Sequence, residues 1–267
     1  MIQKIKRGTQ SIGKIEHLSA STINSMKTCA KAVYFQKIKG IPNKTQYSKT
    51  VFGLAIHHAL EYWGNCKIGG FPVRLKDVIE EFHKYFDEHY SEITIWGTDT
   101  PMQLKIQGEN ALQLFFTKFK GQLKPKLVET QFIIDRGKNS LPVLGYIDLL
   151  TTDGCIYDYK CGKSSVASRY IGNMSCYAWS YLIKHGSLPK EVATIAIKWR
   201  QKNKQDYVTD WEKHIIPIDM EYIEYIKQEC IDVEKMIKAE CFPRAESSCG
   251  LCKNCGYKKL CGMVVLK

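Results

Sequence analysis

The sequence predicts an α/β fold on three observations. Apolar residues recur at helical spacing as far as Pro125, period-two alternation takes over beyond it, and one helix-spaced segment interrupts the strands before the last of them. Ser19, Ser21 and Thr22 can cap a helix through Ile23, Met26, Cys29 and Val33, whose spacing puts Cys29 on its buried face. Helical periodicity with few breakers then covers 51–63, 75–90 and 101–120, and the glycine- and proline-punctuated stretch 64–72 reads as a loop. KLVETQFIID, LPVLGYIDLLTT, GCIYDYKC and ATIAIKW read as four strands separated by turn residues. Tyr170, Met174, Tyr177 and Tyr181 give 167–184 a helical stripe, and a last amphipathic helix covers 220–239. No internal repeat is present. The chain reads as a single domain over 1–267, with a mainly helical part at 18–125, a sheet core at 126–210 and a C-terminal helix with a Cys-rich segment at 220–267.

The composition narrows the function classes. With 267 residues, 44% of them hydrophobic, the chain can bury a real core and is neither disordered nor fibrous. Thirty-nine basic against 27 acidic residues give a net charge of +12, which favours a polyanionic partner, nucleic acid first and an anionic membrane surface second. No run approaches the roughly 20 apolar residues of a membrane helix, and the N-terminus lacks the apolar block of a signal peptide. The expectation is a soluble, cytoplasmic protein (host cytoplasm if viral). Eleven cysteines in such a chain point to a metal or cluster site plus ordinary buried thiols. No Walker loop, dinucleotide fingerprint or Gly-x-Ser-x-Gly elbow is present, so a helicase or recombination partner would be a separate chain.

Two constellations can carry chemistry. Asp158 and Lys160 share one face of a strand, and a neighbouring strand can bring Asp148 alongside. Two carboxylates and an ammonium suit a hard divalent ion and an oriented water at a phosphodiester. They are equally read as strand-end turn residues with a solvated lysine. His57 and Glu61, four apart on one helix, suit a ligand with a supporting carboxylate, although a His between Ile56 and Leu60 also fits a core. His58 reads as structural or substrate-facing, and Glu129 in VETQF as a solvent-facing strand residue. The second constellation is Cys249, Cys252, Cys255 and Cys261. All four could hold zinc, though the spacing is cramped, or a ferredoxin-like cluster, though the last gap is too long. In KWRQKNKQDYVTDW, Lys198, Arg200, Lys202 and Lys204 can meet phosphates and Trp199 or Tyr207 can stack on a base; a solvated hairpin is the competing reading.

These pieces together resemble the PD-(D/E)xK nuclease superfamily, in particular the RecB-type exonuclease branch that includes the AddB nuclease domain and the CRISPR-adaptation nucleases. LSASTINSMKTC resembles the opening helix, with Ala30 where a Pro commonly stands; FGLAIHHALE resembles the Gly-x-x-x-His-x-x-x-Glu helix; GYIDLL and YDYKCGK resemble the two catalytic strands. The resemblance implies a restriction-endonuclease-like core. It makes His57, Asp148, Asp158 and the Tyr159 carbonyl ligands of Mg²⁺ or Mn²⁺, Lys160 the catalytic lysine, and Lys163 a phosphate contact. Glu129 stands where the branch often carries a Glu; Tyr177 matches the next helix, with Asn173 where Gln is expected. It further implies a [4Fe-4S] cluster on Cys29, Cys252, Cys255 and Cys261, leaving Cys249 spare and clasping the two ends of the chain. The implied activity is exonuclease action on single-stranded DNA, in repair, recombination, replication or CRISPR-type processing. An endonuclease, or a DNA-binding scaffold that does not cut, stays open.

Overall fold

A computed structural model describes residues 15–162, 167–246 and 250–262. The helices are α1 (Ala20–Val33), α2 (Ser48–Ile68), α3 (Leu75–His89), α4 (Pro101–Phe119), α5 (Ile171–His185), α6 (Met220–Lys238) and the single turn α7 (Lys258–Cys261). The strands are β1 (Pro125–Ile134), β2 (Val143–Thr151), β3 (Cys155–Lys160), β4 (Glu191–Lys202) and β5 (Gln205–Ile215). They form one sheet in the order β1-β2-β3-β4-β5. Both β2–β3 and β4–β5 are antiparallel, while β3 and β4 run parallel and are joined through α5, as a parallel crossover requires. This is the mixed sheet flanked by helices that the restriction-endonuclease-like reading predicts. Among the described residues no helix is long and apolar enough to cross a membrane.

The chain divides into two compact units. One comprises Lys44–Gln131 and Tyr146–Tyr222. Its core sets Phe52, Trp63, Phe82, Phe86 and Phe115 of α2, α3 and α4 against Tyr159 and Trp211 of the sheet. Thr100 caps α4 by accepting the Gln103 amide, with Pro101 at the first helical position, where its missing N–H is harmless. The other unit comprises Met1–Asn43, Phe132–Gly145 and Ile223–Lys267. There Ser19 caps α1 by accepting the Thr22 amide, and Leu18 exchanges backbone hydrogen bonds with Pro142 and Leu144, 2.8 Å each. Glu234 on α6 is buried and accepts both the Arg136 guanidinium and the Leu141 amide, which ties the β1–β2 connection to that helix.

Three expectations are corrected. Four strands were expected, and the sheet has five: β4 runs to Lys202, Asn203 and Lys204 both take left-handed φ (51° and 62°), and β5 returns. Two consecutive positive-φ residues are what a two-residue hairpin loop needs, so the basic stretch becomes a hairpin and its far arm a strand. The expected loop 64–72 begins later, because α2 continues to Ile68. Gly64 does not break the helix; a Cβ there would overlap the Val128 side chain, so the glycine admits a close approach of α2 to β1. Finally, Cys29 lies off the buried stripe of Thr22, Ile23, Met26, Ala30 and Val33. The helix leaves helical geometry at Cys29, which is half-buried, and its Sγ accepts the Ala245 amide at 3.5 Å.

Candidate metal and nuclease site

The site is built where β2 and β3 meet α2 and β1. The β2–β3 ladder pairs Leu149 with Tyr157 and Leu150 with Ile156, and just beyond it the Tyr159 amide donates to Asp148 Oδ2 at 2.7 Å. A carboxylate that accepts a backbone N–H at a ladder's end is held in one orientation without a dedicated partner. His57, on α2, points its Nε2 at the Tyr159 carbonyl (3.0 Å) and its Nδ1 at Asp148 Oδ2 (3.5 Å) and Glu129 Oε1 (3.6 Å). Its ring meets the Tyr159 ring edge-on at 5.9 Å. An imidazole that donates Nε2–H to a carbonyl keeps its Nδ1 lone pair for a cation, and that lone pair faces two carboxylates.

Glu129 reaches this position at a cost. It sits inside β1 with φ 41°, a left-handed value that non-glycine residues rarely adopt. Backbone strain of this kind persists where the surroundings over-determine it, commonly at functional sites. Donor atoms of His57, Glu129 and Asp148 all lie within 4.8 Å of one another. One imidazole and two carboxylates in that space fit Mn²⁺ or Mg²⁺, which take hard oxygen ligands and tolerate a nitrogen.

Asp158 is 2% exposed. Its Oδ2 is ion-paired with Lys160, and its Oδ1 accepts the Tyr177 hydroxyl at 3.3 Å. The Lys160 ammonium also lies 4.7 Å from the centre of the Tyr170 ring. The electrostatics are those of a crowded acidic site. Burial, then the neighbouring Asp158 carboxylate, push the Asp148 carboxyl up to about 7, against the pull of His57. Burial works against a charged His57, yet the Asp148 carboxylate, a hydrogen bond with the Cys161 thiol and Glu129 hold its pKa well above the ordinary value. Burial likewise opposes the charge on Lys160, and Asp158 more than offsets it, leaving its pKa raised.

The remaining expected residues divide. Tyr177 touches Asp158, as described. Asn173 is half-buried on α5. Glu61 makes no hydrogen bond to His57; the Tyr159 carbonyl takes the role foreseen for it, because Nε2 rather than Nδ1 faces away from the carboxylates. The Glu61 carboxyl is raised by its own burial and by Glu129. His58 pairs with Glu81 at 3.3 Å. Lys198 is exposed and paired with Glu212, and Arg200 is exposed. Trp199 is not a free stacking surface, since its Nε1 donates to the Cys161 carbonyl and the Lys49 ammonium lies 4.0 Å from its ring centre. Lys163 and Cys249 lie outside the described residues. Sequence reasoning missed Cys161 and Tyr170. Cys161 shares a strand face with Tyr159 and so with the His57 side of β3, a signal that alternation carries.

In the other unit, Cys29, Cys252, Cys255 and Cys261 line one cavity together with Ala32, Phe35 and Tyr257. Among the described residues, only His57, Glu129 and Asp148 form a group of three with donor atoms inside 4.8 Å, so the four thiols are spread more widely than that.

No curated protein matches the sequence. Among solved structures, an exonuclease candidate from Eubacterium rectale is similar over 100% of this chain and 96% of its own, with a TM-score of 0.56 at 10% identity, a likeness of fold. LHK-Exo, solved in complex with dAMP, covers 73% of this chain and 94% of its own with a TM-score of 0.32 at 13% identity. The family model of the PD-(D/E)XK nuclease superfamily matches residues 17–262. With that match spanning nearly all of the sequence, the chain belongs to the PD-(D/E)XK nuclease superfamily, and with it to the deoxyribonuclease hydrolases.

Proposed function

We propose that the chain is a metal-dependent exonuclease on single-stranded DNA, with His57, Glu129, Asp148 and Asp158 as its metal-binding residues and Lys160 as the group that positions the attacking water. The observation that carries this reading is the trio of His57, Glu129 and Asp148, gathered within 4.8 Å beside the buried Asp158–Lys160 pair. A bound Mg²⁺ or Mn²⁺ supplies Lewis-acid polarisation of the phosphate and lowers the pKa of a coordinated water. With the Tyr159 carbonyl holding its Nε2–H, His57 would offer Nδ1 to a metal once the proton there is displaced, which fixes the metal-binding tautomer. In that tautomer the Tyr159 carbonyl serves as the acceptor for His57 before it serves any ion. Asp148 is fixed by the Tyr159 amide. Lys160, raised by Asp158, stays protonated and offers hydrogen bonds to a water or a phosphate oxygen.

Glu129 reads in sequence as a solvent-facing strand residue at a position where the branch often carries a Glu, and its left-handed φ together with its distance to His57 moves it into the ligand set of this proposal. The net charge of +12 supports a nucleic-acid substrate. We further propose that Cys29, Cys252, Cys255 and Cys261 hold a [4Fe-4S] cluster. The cavity they share supports it. Such a cluster contributes to folding more than to chemistry. The test is incubation of anaerobically purified protein with end-labelled linear and circular single-stranded DNA in Mn²⁺, beside Asp158→Asn. Loss of linear DNA alone, by the wild type alone, is expected. Cutting of circles makes it an endonuclease, and intact DNA under Mg²⁺ and Mn²⁺ makes it a binding subunit.

A further inference from the structure

The sheet carries an exposed aromatic ring next to the candidate metal site that no part of the cleavage chemistry uses. Tyr146 lies two residues before Asp148 on β2, so both side chains leave the same face of the strand. Tyr146 is 48% exposed, while Asp148 is buried. Its hydroxyl accepts a hydrogen bond from Gln131 Nε2 at 2.9 Å. Gln131 in turn lies two residues beyond Glu129 on β1. Glu129 and Asp148 form the acidic cluster with His57, and Gln131 with Tyr146 forms a neutral pair beside it, about 6.8 Å away along β2 for two residues.

A hydrogen bond between two exposed side chains contributes little to folding. Among the described residues no aromatic ring or cation covers its face. An amphipathic ring anchored at its polar tip, with its π-face bare, is the form that base-stacking platforms take in single-strand-binding proteins. Placed one stride along β2 from Asp148, proposed to bind the metal that meets the scissile phosphate, such a ring lies within reach of the base of an adjoining nucleotide.

We propose that Tyr146 stacks on an unpaired base next to the scissile phosphate and thereby selects single-stranded ends. Gln131 acts as a positioning residue that keeps the ring from swinging away. The inference rests on the nuclease reading for the identity of the ligand, but its test needs no cleavage.

The experiment measures binding of fluorescein-labelled short single strands in Ca²⁺ by anisotropy, with one abasic nucleotide moved through the positions near either end. Wild type, Tyr146→Ala, Tyr146→Phe and Gln131→Ala are compared. The wild type loses about tenfold in affinity at one abasic position, in line with stacking on a single base. Tyr146→Ala binds the intact strand about tenfold more weakly and shows no further loss at that position. Tyr146→Phe and Gln131→Ala, which each remove the pinning hydrogen bond but keep a ring at position 146, both retain the abasic penalty in reduced form. An abasic penalty undiminished in Tyr146→Ala, or no binding of single strands by the wild type, overturns the proposal. The nuclease reading is judged separately, by cleavage of intact DNA in Mn²⁺, so a chain that binds without cutting still decides the role of Tyr146.

Discussion

His57 Nε2 stands 3.0 Å from the Tyr159 carbonyl, which joins α2 to the centre of the sheet through one backbone oxygen. That bond selects which ring nitrogen faces Asp148 and Glu129, so α2 contributes an oriented imidazole rather than a mobile one. Replacing His57 with Ala is expected to lower cleavage by about 10- to 100-fold, with partial recovery at raised Mn²⁺. The check is the Mn²⁺ concentration giving half-maximal rate, which rises in the variant. Activity unchanged at all metal concentrations removes His57 from the ligand set.

The same cluster sets a pH dependence. Asp148 has a folded-state pKa pushed up to about 7 from an ordinary 3.8, so between those values the folded chain binds more protons than the unfolded one. Stability then falls as pH rises through that window. His57, raised well above 6.5, adds loss in the same direction at higher pH. The metal-free protein is therefore expected to melt at lower temperature at pH 8 than at pH 5.5, by about a few degrees. Because binding must displace the His57 proton and leave Asp148 ionised, the rise in Tm on adding Mn²⁺ is larger at pH 8 than at pH 6. Asp148→Asn flattens both trends in thermal melts.

Lys160 and Asp158 form a buried pair, so the two substitutions separate chemistry from stability. Asp158→Asn keeps the shape but leaves the Lys160 ammonium without its counter-charge; because that side chain is 19% exposed against 2% for Asp158, the variant is expected to abolish cleavage with a smaller loss of stability than Lys160→Ala. Lys160→Ala leaves Asp158 without its counter-charge and costs about 3–5 kcal/mol as well as activity. Urea titrations of both variants read the difference.

The cysteines make a compositional prediction. Cys29→Ser and Cys261→Ser each lose bound iron and acid-labile sulfide and lower stability, while Cys249→Ser retains both. Iron and sulfide assays on anaerobic protein check it, and zinc in their place would replace the cluster by a mononuclear site.

Packing gives a test outside the site. A Cβ at Gly108 on α4 would run into the ring of the fully buried Phe82 on α3. Gly108→Ala is expected to destabilise by about 1–3 kcal/mol by overpacking, despite its better helix propensity. Chemical denaturation reads the loss, with the metal dependence of cleavage unchanged.

Local pattern was enough to determine the helices of the first half, the first four strands and the pairing of Asp158 with Lys160 on one strand face, because helical spacing and alternation are properties of neighbours in sequence. It also singled out His57 and the four spaced cysteines as residue types suited to metals. Tertiary structure decided the rest. Which nitrogen of His57 faces the acids depends on the Tyr159 carbonyl 102 residues away. Whether Glu129 faces solvent or the cluster depends on a single left-handed φ inside β1. Trp199 was open to two readings until a backbone carbonyl and Lys49 were seen to occupy it. Periodicity records which face of an element is buried; it holds no record of which partner that face meets, and the acidic cluster around His57, the pinned tyrosine and the cysteine cavity are all made of such meetings.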